Sequence, residues 1–279
     1  MGLRLLLTGF FRKFVIADFC APFVKAIFAA EMPDGSAVAL GVLLFSLQIY
    51  NDFAGYSEIA RGSARLLGIR LMRNFDRPYL SLGFREFWRR WHISLGSWFR
   101  DYVYVPMGGN RKGILRQILV SLLVFALSGL WHGANWTFLV WGLLHGAALV
   151  IETLVTKRNS HEPKARWLRI TGCNLTFLLV SFFWIFFRAE TLPHAFLMVS
   201  RLFSAWDIQN GITLAGLEIT DILWLLFSVS QSFLLDRLSR EEEKMPRDMV
   251  LVYLALSIML AWFIRLGQGA ESAFIYFQF

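Results

Sequence analysis

The sequence predicts an all-α, polytopic integral membrane protein, organised as one domain over residues 1–279. Three observations predict it. The chain is 56% hydrophobic with a mean hydropathy of +0.51, too apolar for an ordinary soluble domain. Apolar runs of about 20 residues, the length that crosses a bilayer as a helix, recur along it. Its 28 Lys and Arg outnumber 20 Asp and Glu, giving a net charge of +8, and they gather in alternate loops. A soluble protein with this charge would suggest nucleic acid. Basic residues lodged between apolar runs instead mark the cytoplasmic edge of a membrane protein, so the expected partner is the lipid bilayer and no nucleic acid.

The elements follow in order. Residues 5–30 are apolar but interrupted by Arg12, Lys13, Asp18, Pro22 and Lys25, which predicts a kinked or partly interfacial segment. Residues 37–59 predict a long helix whose second half turns polar. Further spans are predicted at 114–131, 135–155, 171–187, 219–236 and 249–266, with a weaker amphipathic stretch over 188–218. Loop 61–116 holds twelve Lys and Arg, 156–170 holds five and 237–248 holds four, whereas 31–36, 132–134 and 267–279 hold none. The positive-inside rule then sets the three basic loops in the cytoplasm and the ends near Met32, Gly133 and the C-terminus outside.

Several function classes lose support. Cys20 and Cys173 form no CxxC and have no metal-ligand spacing with a histidine, so neither a disulfide framework nor a metal site is expected. No cleavable signal peptide is evident at the N-terminus. No GxSxG, P-loop, GxGxxG or HExxH occurs.

Polar residues in apolar surroundings are the candidates for chemistry. On a continuous helix, Arg85, Arg89 and His92 share one face and Trp88, Trp91, Leu95 and Trp98 the other, which suits an interfacial or re-entrant helix. "VPMGGNRKG" then turns at Gly108 and Gly109 and carries Arg111 and Lys112. Gln48, Asn51, Asp52 and Gly55 fall on one face of the 37–59 helix. Asp52 near hydrocarbon needs a partner: the residues allow a structural ion pair with an arginine from 61–90, or direct chemistry. His132, in "GLWHGAN", sits between two spans and can be a hydrogen-bonded packing residue or a base. His92 can be an interfacial basic residue, His145 a helix-contact residue, and His161 and His194 surface groups. A histidine that takes a proton from a hydroxyl beside a thioester performs acyl transfer, and cytoplasmic Arg and Lys can hold the phosphates of an acyl carrier. That chemistry needs no bound cofactor.

At these residues the sequence resembles a known family. "QIYNDFAGYSEIARGSARLLG", "NFDRPYLSLGFREFWRRWHISLGSWFRDYVYVPMGGNRKG", "LSGLWHGANWTFLVWGLLHG" and the terminal "FIYFQF" resemble the membrane-bound O-acyltransferase (MBOAT) family, in the branch that O-acetylates alginate, with a wider likeness to the one that D-alanylates teichoic acid. The resemblance implies a multi-helix fold with a tunnel through the bacterial inner membrane. It implies that His132, in "GLWHG", is catalytic and that His92, in "FWRRWHISL", is a second functional position near the cytoplasmic entrance. Members of this branch carry further spans before the point matching Met1, so the chain is expected to match the C-terminal portion of the pattern, as a partial version of the fold. The implied reaction moves an acyl group, acetyl from acetyl-CoA or another acyl thioester, across the membrane to a hydroxyl of an exported polysaccharide or to a partner periplasmic acetyltransferase. Arg89, Arg90, Arg111, Lys112 and Asn135 are candidate donor contacts, with positive-inside anchoring the alternative for the basic ones; Asp52 is the structural buried polar group. Two rival classes stay open: a non-catalytic membrane scaffold for a periplasmic transferase, and a transporter using Asp52 and the histidines as an intramembrane path.

Overall fold

The computed structural model describes residues 2–156, 165–204 and 206–238. Every regular element among them is helical: α1 (Gly2–Phe10), a π-helical segment (Phe11–Ala17), α2 (Asp18–Ala29), α3 (Gly35–Leu66), a 3-10 turn (Pro78–Leu80), α4 (Phe84–Arg90), α5 (Ile93–Phe99), a second π-helical segment (Arg100–Tyr104), α6 (Ile114–His132), α7 (Trp136–Val155), α8 (Arg166–Arg188), α9 (Leu192–Leu202), α10 (Ile208–Ala215) and α11 (Ile219–Leu238). Helices α3, α6, α7, α8 and α11 are long and apolar enough to cross a membrane, and they coincide with five of the spans read from the sequence. The span expected at 249–266, most of the basic segment before it, "FIYFQF" and His161 lie outside the described residues. The described residues form two compact units, one from those up to Arg73 together with those between Arg201 and Leu238, the other from those between Asn74 and Ser200.

In the first unit, α1 and the π-helical segment lie along α3. A Cβ on Gly9 would stand 2.7 Å from the Gly55 carbonyl oxygen, and one on Gly55 would stand 2.8 Å from that of Gly9, so the two backbones touch. The π-helical segment carries Arg12 and Lys13, only 1% and 2% exposed, against the polar half of α3. Lys13 Nζ lies 2.8 Å from both Asp18 Oδ1 and Asp52 Oδ1. Arg12 donates to Asn51 Oδ1 at 3.0 Å, to Asp236 Oδ1 of α11 at 2.8 Å and to Glu58 Oε2 at 3.2 Å. Tyr50 donates to the same Asp236 oxygen at 2.6 Å. Charges buried this deeply persist only when paired, and the pairing ties α3 and α11 to the π-helical segment. The sequence reading sought the partner of Asp52 among the arginines of 61–90; the structure gives it Lys13. A sequence reading could not see this, because the pair joins positions 39 apart in the chain. At the other end of α3, Asp34 caps the helix by accepting the Ala37 N–H at 2.8 Å and the Asn210 side-chain amide at 2.8 Å.

In the second unit, α6 and α7 form an antiparallel hairpin packed backbone to backbone. A Cβ on Gly129 would collide with the Phe138 carbonyl, and one on Gly142 with the Phe125 carbonyl. Small residues permit this approach where lipid offers no hydrophobic force to drive helices together. Leu115, Leu119, Leu123, Leu127 and Leu130 remain exposed along α6, a stripe suited to lipid.

The 84–104 segment departs from the single helix expected. Helix α4 stops at Arg90, and His92 takes the left-handed conformation (φ 45°, ψ 55°) before α5 begins. The 74–76 stretch supplies the bonds that replace the helical ones. Asp76 N–H donates to Arg90 O at 2.9 Å, Ile93 N–H to Asn74 O at 3.0 Å, and Ser94 N–H to Asn74 Oδ1 at 3.1 Å. Hence Arg85, Arg89 and His92 do not share one helical face. Helix α4 begins with Arg85 against Glu152 and Thr153 in the last turn of α7. Midway, Trp88 meets Phe125 and His145. The joint then brings His92 to Trp131, near the end of α6. The chain returns to the start of α6, where Arg116 donates to Met107 O at 3.0 Å. This is a re-entrant helical hairpin, and its irregular tip is tolerable at such depth because protein groups satisfy its backbone.

Candidate active site

A cavity of about 790 Å³ lies within the second unit. One face of α6 walls it from end to end, through Ile114, Gln117, Ser121, Val124, Ser128 and His132. At 1.5 Å per residue this face runs about 27 Å, close to the thickness of a bilayer's hydrocarbon core. The re-entrant hairpin forms the opposite wall, contributing Arg85, Arg89, His92 and Arg100.

The two ends differ in chemistry. At the start of α6 the lining includes Arg100, Asn110 and Thr156, with Tyr104 beside them. Guanidinium groups at this mouth suit an anionic, phosphate-bearing molecule. At the far end the two histidines meet a shared neighbour: the Trp131 ring lies 6.1 Å from His92 and 5.0 Å from His132. His132 is set edge-on against Trp141 at 5.3 Å and Phe187 at 5.1 Å. Ser94 Oγ lies 3.4 Å from His92 Nδ1. The strained backbone of His92, worth about 1–3 kcal/mol, turns its side chain into the cavity rather than along α4. An imidazole at the aromatic end of such a channel can take a proton from a hydroxyl that reaches it.

The structure brings together His92, His132 and Arg89 of the residues singled out in the sequence. It moves His92: expected near the cytoplasmic entrance, it sits instead at the level of Trp131, because the segment bearing it dips inward. The other donor candidates are absent from the cavity lining. Arg90 bonds Glu86 and the Arg77 carbonyl. Arg111 and Lys112 are exposed on the turn before α6. Asn135 caps α7, accepting the Thr137 N–H at 3.1 Å and donating to Glu190 O at 2.9 Å. His145 is fully buried and His194 partly buried, both off the cavity. Arg85 and Arg100 were not expected as site residues, nor was the polar stripe Gln117, Ser121 and Ser128 that leads along α6 to His132. The stripe's spacing of four, seven and four was a legible helical signal.

A family model for the membrane-bound O-acyltransferases matches residues 32–191. The probable alginate O-acetylase AlgI of Azotobacter vinelandii is 41% identical, over 80% of this chain and 44% of that protein. The peptidoglycan O-acetyltransferase of Helicobacter pylori is 32% identical, over 100% of this chain and 56% of its own length. The teichoic acid D-alanyltransferase of Bacillus subtilis is 31% identical, over 69% and 52%. The chain spans about half the length of these curated relatives.

Proposed function

The chain belongs to the membrane-bound O-acyltransferase family, and from that premise we propose that it transfers an acyl group, acetyl, from a cytoplasmic thioester such as acetyl-CoA to a hydroxyl of an exported polysaccharide, directly or through a partner periplasmic transferase. The proposed location is the bacterial inner membrane, with the three basic loops in the cytoplasm. The observation that carries the reading is one cavity running the length of a spanning helix, with arginines at one mouth and two histidines at the other end. The relatives named as O-acetylase, O-acetyltransferase and D-alanyltransferase support an acyl acceptor on a cell-surface polymer.

In this mechanism Arg85, Arg89 and Arg100 hold the anionic part of the donor, and its thioester reaches along α6 toward His132. His132 removes the acceptor's hydroxyl proton, and the oxygen attacks the thioester carbonyl. The tetrahedral intermediate collapses to the ester, and the departing thiolate takes the proton back from His132. His92, next to Trp131, orients the donor's acyl end.

The test replaces His132 with Ala in the protein's full natural length, in cells whose own copy is deleted. Removing a general base lowers transfer by roughly 10²–10⁴-fold. The expected result is normal membrane insertion with polymer ester content near background. Parental ester content in His132→Ala would overturn the reading and favour a scaffold.

A further inference from the structure

Behind the cavity wall, α7 presents Thr137, Trp141 and His145 at successive helical turns, each 0% exposed. Among the described residues, neither ring nitrogen of His145 has a hydrogen-bond partner. The same holds for the indole N–H of Trp141, the hydroxyl of Thr137 and the indole N–H of Trp88. These orphans are neighbours. The His145 ring lies 4.9 Å from Trp88 at 84°, and 5.1 Å from Trp141 at 70°. Phe183 closes another side at 4.9 Å.

Buried polar atoms are nearly always satisfied, by protein or by ordered water. Here the orphans complement one another. The two indoles are donors, a neutral imidazole has one donor and one acceptor, and a threonine hydroxyl is both. A water that accepts from an indole N–H and donates to the imidazole lone pair satisfies both at once. Trp88 also borders the cavity, and Trp141 stands edge-on to His132 at 5.3 Å. The nest therefore connects the cavity wall to the indole against which His132 rests.

We propose that His145 is a positioning residue for His132, acting through a water-bearing nest that it shares with Trp88 and Trp141. The imidazole anchors the water, the water anchors the Trp141 indole, and the indole sets the angle of the His132 ring. The inference rests on the acyl-transfer reading for its kinetic consequence, but not for the nest itself.

The variant His145→Phe keeps an aromatic ring in the cage and removes both polar atoms. Were the nest dry, this exchange would relieve two orphans, raise the melting temperature and leave turnover intact. The expected result is a folded protein whose kcat falls about 10- to 100-fold, since small misplacements of a catalytic group cost this much. KM for the donor is expected to stay unchanged. His145→Gln, which restores a donor and an acceptor, is expected to recover part of kcat. Parental kcat in His145→Phe, or no recovery in His145→Gln, would overturn the proposal. A high-resolution structure of the parent tests it without any variant. Ordered water within about 3.2 Å of a His145 nitrogen and of the Trp88 or Trp141 indole is expected, and a dry cage overturns the inference. A parent inactive in acyl transfer removes the broader reading; an active parent matched by His145→Phe removes this one alone.

Discussion

At the scale of single residues, the informative polar groups divide by what surrounds them. His132 and His92 face a cavity, whereas Asp52 faces a lysine. Lys13 stands 2.8 Å from both Asp52 and Asp18, and all three are nearly inaccessible. Neutralising one carboxylate leaves a buried ammonium with half its compensation. Asp52→Asn is therefore expected to cost about 3 kcal/mol, the low end for breaking a buried pair because Asp18 remains. Asp52→Glu keeps the charge and should cost less. Yield and melting temperature in detergent check this. An Asp52→Asn protein that melts like the parent yet has lost turnover would move Asp52 from scaffold to chemistry. The presence of a charged residue at position 52 was legible in the sequence; its partner was not, since the pair bridges 39 positions and depends on the π-helical segment lying along α3.

At the scale of elements, the α6–α7 hairpin and the re-entrant hairpin shape the cavity. The first depends on glycines whose added Cβ atoms would strike carbonyl oxygens across the contact. Gly142→Val cannot be absorbed by a side-chain rotation, because the obstacle is backbone. It is expected to separate the two helices, lowering folded yield severely and abolishing transfer together with it. Gly146→Ala is a milder control: its Cβ would meet Phe125 Cβ at 3.1 Å, a contact that a few tenths of an ångström relieve. Equal yields for parent and Gly142→Val would show that the hairpin packs otherwise. The re-entrant hairpin shows where element prediction failed. Periodicity favoured one helix through 85–98, yet hydrogen bonds from Asn74 and Asp76 capture the backbone at 90–94 and break it at His92. Those bonds come from a neighbouring strand of chain with no helical signature, so no local pattern announces them.

At the scale of the whole molecule, orientation in the bilayer is the next measurable property. The Lys and Arg bias predicts 156–170 inside and the segment that bears Asn210 outside. A cysteine at Asn159 is expected to escape a membrane-impermeant thiol reagent applied to intact cells, and one at Asn210, on the exposed start of α10, to react. The opposite labelling would invert the topology and place the arginine mouth of the cavity outside. The all-helical class and the five spans that the structure describes follow from the sequence alone. Apolar length and charge bias act through the solvent, which treats each segment separately, so they can be read from the chain alone. Only the tertiary structure decided that His92 stands near His132 rather than at the basic mouth. It likewise decided that Arg85 and Arg100 line the cavity while Arg111 and Lys112 do not, and that Lys13 neutralises Asp52. Each of these depends on which backbone polar groups and charges find partners at a distance, and in a protein interior that pairing is settled by packing rather than by neighbours in sequence.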